Sequence, residues 1–162
     1  MEQNIFARLY RWLYRIILPG SLPHLGADPT PSEVTSRYLL QSGHYTASTG
    51  RVKPRAFHPA ARDHKTSVFR VRELTDRQIW SLGDRYVASP LGKELRARAE
   101  LSVAQITEVG LQVEPAEPPT RHANIAAWPI EKDEWMSRAQ ELAAVAILRL
   151  RVTNTAASQD TP

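Results

Sequence analysis

A helical period of apolar positions dominates "NIFARLYRWLYRIIL" near the N-terminus. Ile5, Phe6, Leu9, Tyr10, Trp12, Leu13, Ile16 and Ile17 fall on one broad face, and Asn4, Arg8, Arg11 and Arg15 share the other. Pro19-Gly20 supplies a stop, so an amphipathic helix over residues 1–18 is predicted. It is too short to cross a bilayer, and its arginines interrupt what would be the apolar stretch of a secretory signal. Two destinations suit its apolar face: a groove on its own domain or a protein partner, and the headgroup boundary of a membrane. Phe6, Leu9, Trp12, Leu13 and Ile16 would enter either, with Arg8, Arg11 and Arg15 at the rim. A targeting presequence is a third, smaller alternative.

Residues 19–31 are rich in proline and poor in apolar anchors, which predicts a linker or surface strap. A single domain is expected over 32–152, followed by a polar, frayed tail at 153–162. Within the domain, "SEVTSRYLLQ" suggests a short helix capped by Ser32, although its β-branched residues oppose it. "RVKPRAF" and "SVFRVREL" suggest strands that would form a basic hairpin over 51–72. Thr75 with Gln78, and Ser102 with Gln105, have capping-box spacing and predict two short helices, the second closed by Gly110. "LRARAEL", "LQVEP" and "HANIA" read as strands. The final run "EKDEWMSRAQELAAVAILRLR" predicts a helix with Trp135, Met136, Ala139, Leu142, Ala143, Ala146 and Ile147 on one face, and Arg149 and Arg151 near its C-terminal dipole. The expected fold class is α+β: a small, mostly antiparallel sheet of three or four strands with two or three helices on one face, plus a separable N-terminal amphipathic helix.

Composition narrows the chemistry more than the fold. The 162 residues include no cysteine, which excludes disulfides, thiolate nucleophiles and cysteine-ligated metals, and fits a cytoplasmic setting, with contact at the periphery of a membrane left open by the helix. The net charge of +4 is unevenly placed. Residues 51–72 hold seven Lys/Arg against Asp63, whereas 101–134 hold six Asp/Glu against Arg121 and Lys132. A basic side and an acidic side are expected, suited to an anionic partner or to a second copy of the chain.

Three groups of residues could carry function. In "RHANIAAW" a period of two places His122 and Asn124 on one face, where a histidine could move a proton, an asparagine could orient a substrate and Arg121 could hold a carboxylate or phosphate. The same residues serve equally well as a filled corner, satisfying loose backbone between Pro118-Pro119 and Pro129 with Trp128 as the plug. Lys53, Arg55, Arg70 and Arg72 are the candidates for polyanion contact, with Phe57 and Phe69 either stacking on bases or lying in the core. His58, Asp63 and His64 are metal-ligating types without a metal-binding spacing, so no metal and no cofactor is expected. The chain has no glycine-rich phosphate loop, GxSxG elbow or SxxK. The first expectation is therefore a non-enzymatic accessory or adaptor protein that docks on a protein partner or membrane through its N-terminal helix. The alternatives are a small hydrolytic or nucleic-acid-directed enzyme using His122, Asn124 and Arg121, and a nucleic-acid binder using 51–72.

Overall fold

The computed structural model describes Leu22, Leu25 and residues 28–152. The predicted N-terminal helix and the tail lie outside the described residues. Val34–Leu39, expected as a helix, is instead strand β1, because Thr35, Ser36, Tyr38 and Leu39 are buried on alternating sides. A strand covered on both faces loses the polar alternation that would mark it. The remaining strands are β2 (Tyr45–Thr46), β3 (Arg51–Val52), β4 (Thr66–Arg70), β5 (Ala97–Ser102), β6 (Gln112–Pro115), β7 (His122–Ala126) and β8 (Ile147–Leu150). Six form one antiparallel sheet in the order β6-β7-β4-β1-β5-β8, and β2 pairs with β3 alone.

The helices are α1 (Asp76–Gly83), α2 (Val103–Glu108) and α3 (Lys132–Val145). Thr75 and Ser102 each accept from the backbone N–H three residues on, and both capping boxes form. Gly110 turns out of α2 at φ 77°, a conformation that costs glycine little. Helix α1 runs on into a wider π turn over Asp84–Ala88.

Opposed residues in the register share a face, which divides the core in two. Leu39, Val68, Ala97, Ala99, Leu101, Ala123 and Ile125 pack with Ile106 and Val109 beside α2 and with Ala139, Leu142 and Ala143 of α3. Two helices thus lie on one face, as expected. On the opposite face Tyr38, Phe69 and Val71 pack with Ile79, Trp80 and Leu82 of α1, and with Leu95. Leu22 joins this second cluster, and Arg70 donates to the Leu25 carbonyl at 2.9 Å, so these two residues are held against the domain.

Two further sequence expectations fail in the body of the domain. The basic hairpin over 51–72 does not form: β3 pairs with β2, residues Pro54–Phe57 make a 3-10 turn, and β4 pairs with β1 and β7. Both faces of β4 are covered, so Val68, Phe69, Arg70 and Val71 are all buried. The last helix ends at Val145, and Ile147–Leu150 becomes β8 because β5 has a free edge that these residues pair with. Arg149 and Arg151 therefore serve no helix terminus. Arg149 pairs with Glu100 at 3.0 Å, and Arg151 pairs with Asp84 while covering the Trp80 ring at 4.9 Å.

Candidate functional site

The seven basic residues of 51–72 divide by their partners. Arg62 pairs with Asp63, Lys65 with Glu114, Arg70 with Glu33 and Arg72 with Glu73. Arg70 is fully committed, being buried and forked onto Glu33, so its predicted contact with a polyanion is corrected to a structural role. Arg72 lies beyond β4, exposed beside its carboxylate neighbour. Arg51, Lys53 and Arg55 form no ion pair with another described residue, and all three are exposed.

Local structure brings other cations to these three. The β2–β3 pair, turned at Gly50 with φ 64°, returns the chain so that Lys53 N–H donates to the His44 carbonyl at 2.9 Å. The 3-10 turn that follows carries Arg55 and ends at His58, whose ring meets the Trp135 ring of α3 edge-on at 4.9 Å. Arg37 of β1 holds the turn from below: Nε donates to Ala56 O at 3.0 Å and Nη1 to Ser67 O at 2.9 Å. Burial brings the Arg37 guanidinium down to about 10. His44 is lowered from its usual value by burial, then by Arg37, Arg55 and His58. His58 is lowered by burial and by Arg55. The charges that lower the two imidazoles are thus basic. His44 Nδ1 is buried without a hydrogen-bond partner among the described residues.

Two arginines, two histidines and a half-buried tryptophan are therefore gathered here with no ion pair to a carboxylate among the described residues, an arrangement suited to an incoming anion. Arg37, His44 and His58 were absent from the sequence-derived polyanion set. The signal that could have supplied the two histidines is Gly50, which closes a turn that folds residues 44 and 53 together.

The His122 group lies on the opposite face of the sheet. His122 opposes Phe69 and Asn124 opposes Ser67 in the register of β7 on β4. His122 Nδ1 lies 2.9 Å from the Ala116 carbonyl and must carry the hydrogen, so Nε2 accepts from the Ser67 hydroxyl at 2.8 Å. This polarity is that of a general base on a hydroxyl, and it also satisfies both ring nitrogens in place. Arg121 does not join them. It is buried, with Nη1 donating to Arg72 O at 2.6 Å and its backbone N–H donating to Glu117 at 2.6 Å. An open cavity of about 550 Å3 is lined by Thr30, Ser32, Glu33, Val71, Arg72 and Glu73, and neither His122 nor Asn124 reaches it. Phe57 and Phe69 are core residues, not stacking platforms. Trp128 is buried and donates to Ile125 O at 3.1 Å, plugging the turn after β7.

His58, Asp63 and His64 are directed apart: His58 to Trp135, Asp63 to Arg62, and His64 Nε2 to Pro129 O at 2.7 Å. Among the described residues no three metal-ligating side chains converge, and no described helix is long and apolar enough to cross a membrane. Comparison of the chain with known protein families, with curated proteins and with solved structures found no match.

Proposed function

We propose that this protein is a non-enzymatic binding protein for the sugar-phosphate backbone of single-stranded nucleic acid, held at the cluster of Arg37, His44, Lys53, Arg55 and His58. The observation that carries the reading is the division of the basic stretch: its paired cations lie at 62–72, and those without an ion pair among the described residues lie at 51–55, where Lys53 and Arg55 flank the turns that carry two histidines. Fixed cations without partners gain most from phosphate, because each contact releases a condensed counterion. Half-buried Trp135 and Tyr45 flank the cluster and offer aromatic surface for bases.

The test is anisotropy of a labelled single-stranded oligonucleotide over a salt series. Three or four phosphate contacts give a log–log slope of about −2 to −3. Lys53→Glu with Arg55→Glu weakens binding at least tenfold, while Arg62→Glu leaves it within twofold. Absence of binding at low salt, or equal loss with Arg62→Glu, sinks the reading.

A second reading, docking on a protein partner, is favoured by a separate observation. Ile147 and Leu150 of edge strand β8 are exposed at 52 % and 44 % of their surface. Such an edge takes a further strand. The membrane alternative rests on residues 1–18 and their amphipathic pattern. A pull-down comparing the full chain with one lacking residues 1–22 tests the helix as the anchor.

A further inference from the structure

We infer that nucleic acid binding at this cluster is coupled to proton uptake by His44 and His58, so that the site binds more tightly as the pH falls. The inference rests on the nucleic-acid reading above and adds its regulation. Three of the cluster's charges are permanent, on Arg37, Lys53 and Arg55, and two are conditional, on the imidazoles. The geometry makes the conditional pair responsive. His44 sits on the Ser42–His44 turn, its carbonyl taking the Lys53 N–H at 2.9 Å and its Nδ1 buried without a partner among the described residues. His58 sits at the end of the Pro54–Phe57 turn, braced edge-on by Trp135.

The groups facing the imidazoles come from every element packed there. Arg37 reaches them from β1, Arg55 from the turn between them, and α3 presents the uncharged Trp135. Asp133 and Glu134 precede Trp135 in the first turn of α3 and are the acidic residues of that helix end. In the free protein both histidines are held below their usual value, and are therefore neutral near pH 7. A phosphodiester stays singly charged throughout this range. Its arrival offsets the positive charge of Arg37 and Arg55, which favours the imidazolium forms. Linkage then requires that protons strengthen the binding of the anion to the same degree as the anion strengthens the binding of protons.

The experiment measures binding of a labelled single-stranded oligonucleotide to the full chain at constant ionic strength from pH 8 to pH 5.5. Each proton taken up gives about a tenfold rise in affinity per pH unit where the free site is neutral. The His44→Gln, His58→Gln variant should bind with a flat profile. Because this variant could misfold, calorimetry of the unaltered protein in two buffers of different ionisation enthalpy provides the parallel readout: a net uptake of one to two protons at pH 7 is expected. Salt-dependent binding with a flat pH profile and no proton uptake overturns the coupling and leaves the nucleic-acid reading intact. No binding at any pH in low salt overturns both.

Discussion

Arg37 stands in for a missing stretch of β-ladder beside Ser67. The β1–β4 register runs through Thr35↔Arg70 and Ser36↔Phe69 and then stops, and the Arg37 guanidinium takes up the Ser67 carbonyl at 2.9 Å where the ladder would have continued. The same fork takes the Ala56 carbonyl at 3.0 Å, tying the cation-bearing turn to the centre of the sheet. Removing the side chain leaves two carbonyls to be satisfied, at about 1–3 kcal/mol each. Arg37→Met is expected to lower the urea midpoint strongly, and Arg37→Lys to recover only part, since an ammonium does not reproduce the fork. A midpoint unchanged in Arg37→Met contradicts this role.

Glu33 and Arg70 form a buried fork, with Arg70 Nη2 at 2.9 Å from one carboxylate oxygen and Nε on the other. Removing one partner strands a charge in the interior, so Glu33→Gln should destabilise the domain by about 3–5 kcal/mol. Glu33→Gln with Arg70→Met should cost less than the sum of the two single changes. Denaturation of the four proteins in a double-mutant cycle measures the difference.

Gly83 closes α1 against the sheet so tightly that a Cβ there would lie 2.5 Å from Leu95 and 2.5 Å from the Tyr38 ring. Tyr38 cannot swing aside cheaply, because its hydroxyl donates to the Ile79 carbonyl at 2.6 Å. Gly83→Ala is expected to destabilise by about 1–3 kcal/mol through overpacking, despite alanine's better helix propensity. Gly43→Ala, which meets no atom within 4 Å, is the control and should be close to neutral.

Acid should weaken the fold through the two lowered histidines. Their folded values lie below the ordinary imidazole value of about 6.5, so between the two the unfolded chain binds more protons. Stability from this source is therefore present above about pH 6.5 and is lost as the pH falls through the folded values. Thermal unfolding of His44→Gln should show a shallower loss than the unaltered protein between pH 7 and pH 5, and sulfate should narrow the gap. Identical slopes would remove the electrostatic account of the cluster.

What the sequence revealed was mostly local. The capping boxes at Thr75 and Ser102 need only a spacing of three, and α1 and α2 begin where they indicate. Likewise, the alternation of His122 to Ala126 was legible because β7 has one face less covered than the other. β1 was misread because coverage on both faces erased its period, and β8 because Ile147–Leu150 continues the apolar rhythm of α3 with no glycine or proline between them. The candidate site was half legible. Lys53 and Arg55 stood out by charge, but their separation from Arg70 and Arg72 depends on which carboxylates the fold delivers. Arg37, His44 and His58 are gathered by a two-residue strand pair and a turn, elements too short to leave a period.

The strand order bears on how the chain acquires its structure. In the six-stranded sheet only β6 and β7 are neighbours both in sequence and in space without a strand or helix between them, whereas central β1 pairs with Ser102 through Ala97, about half the domain away. Large loops must close before most of the sheet gains anything, which places folding toward the slow end for a domain of this size. During synthesis β1 waits, with both of its hydrogen-bonding edges open, until β4 and β5 have left the ribosome. A chain stalled before residue 97 would expose a sticky central strand, making this interval the one in which association with other chains is most damaging.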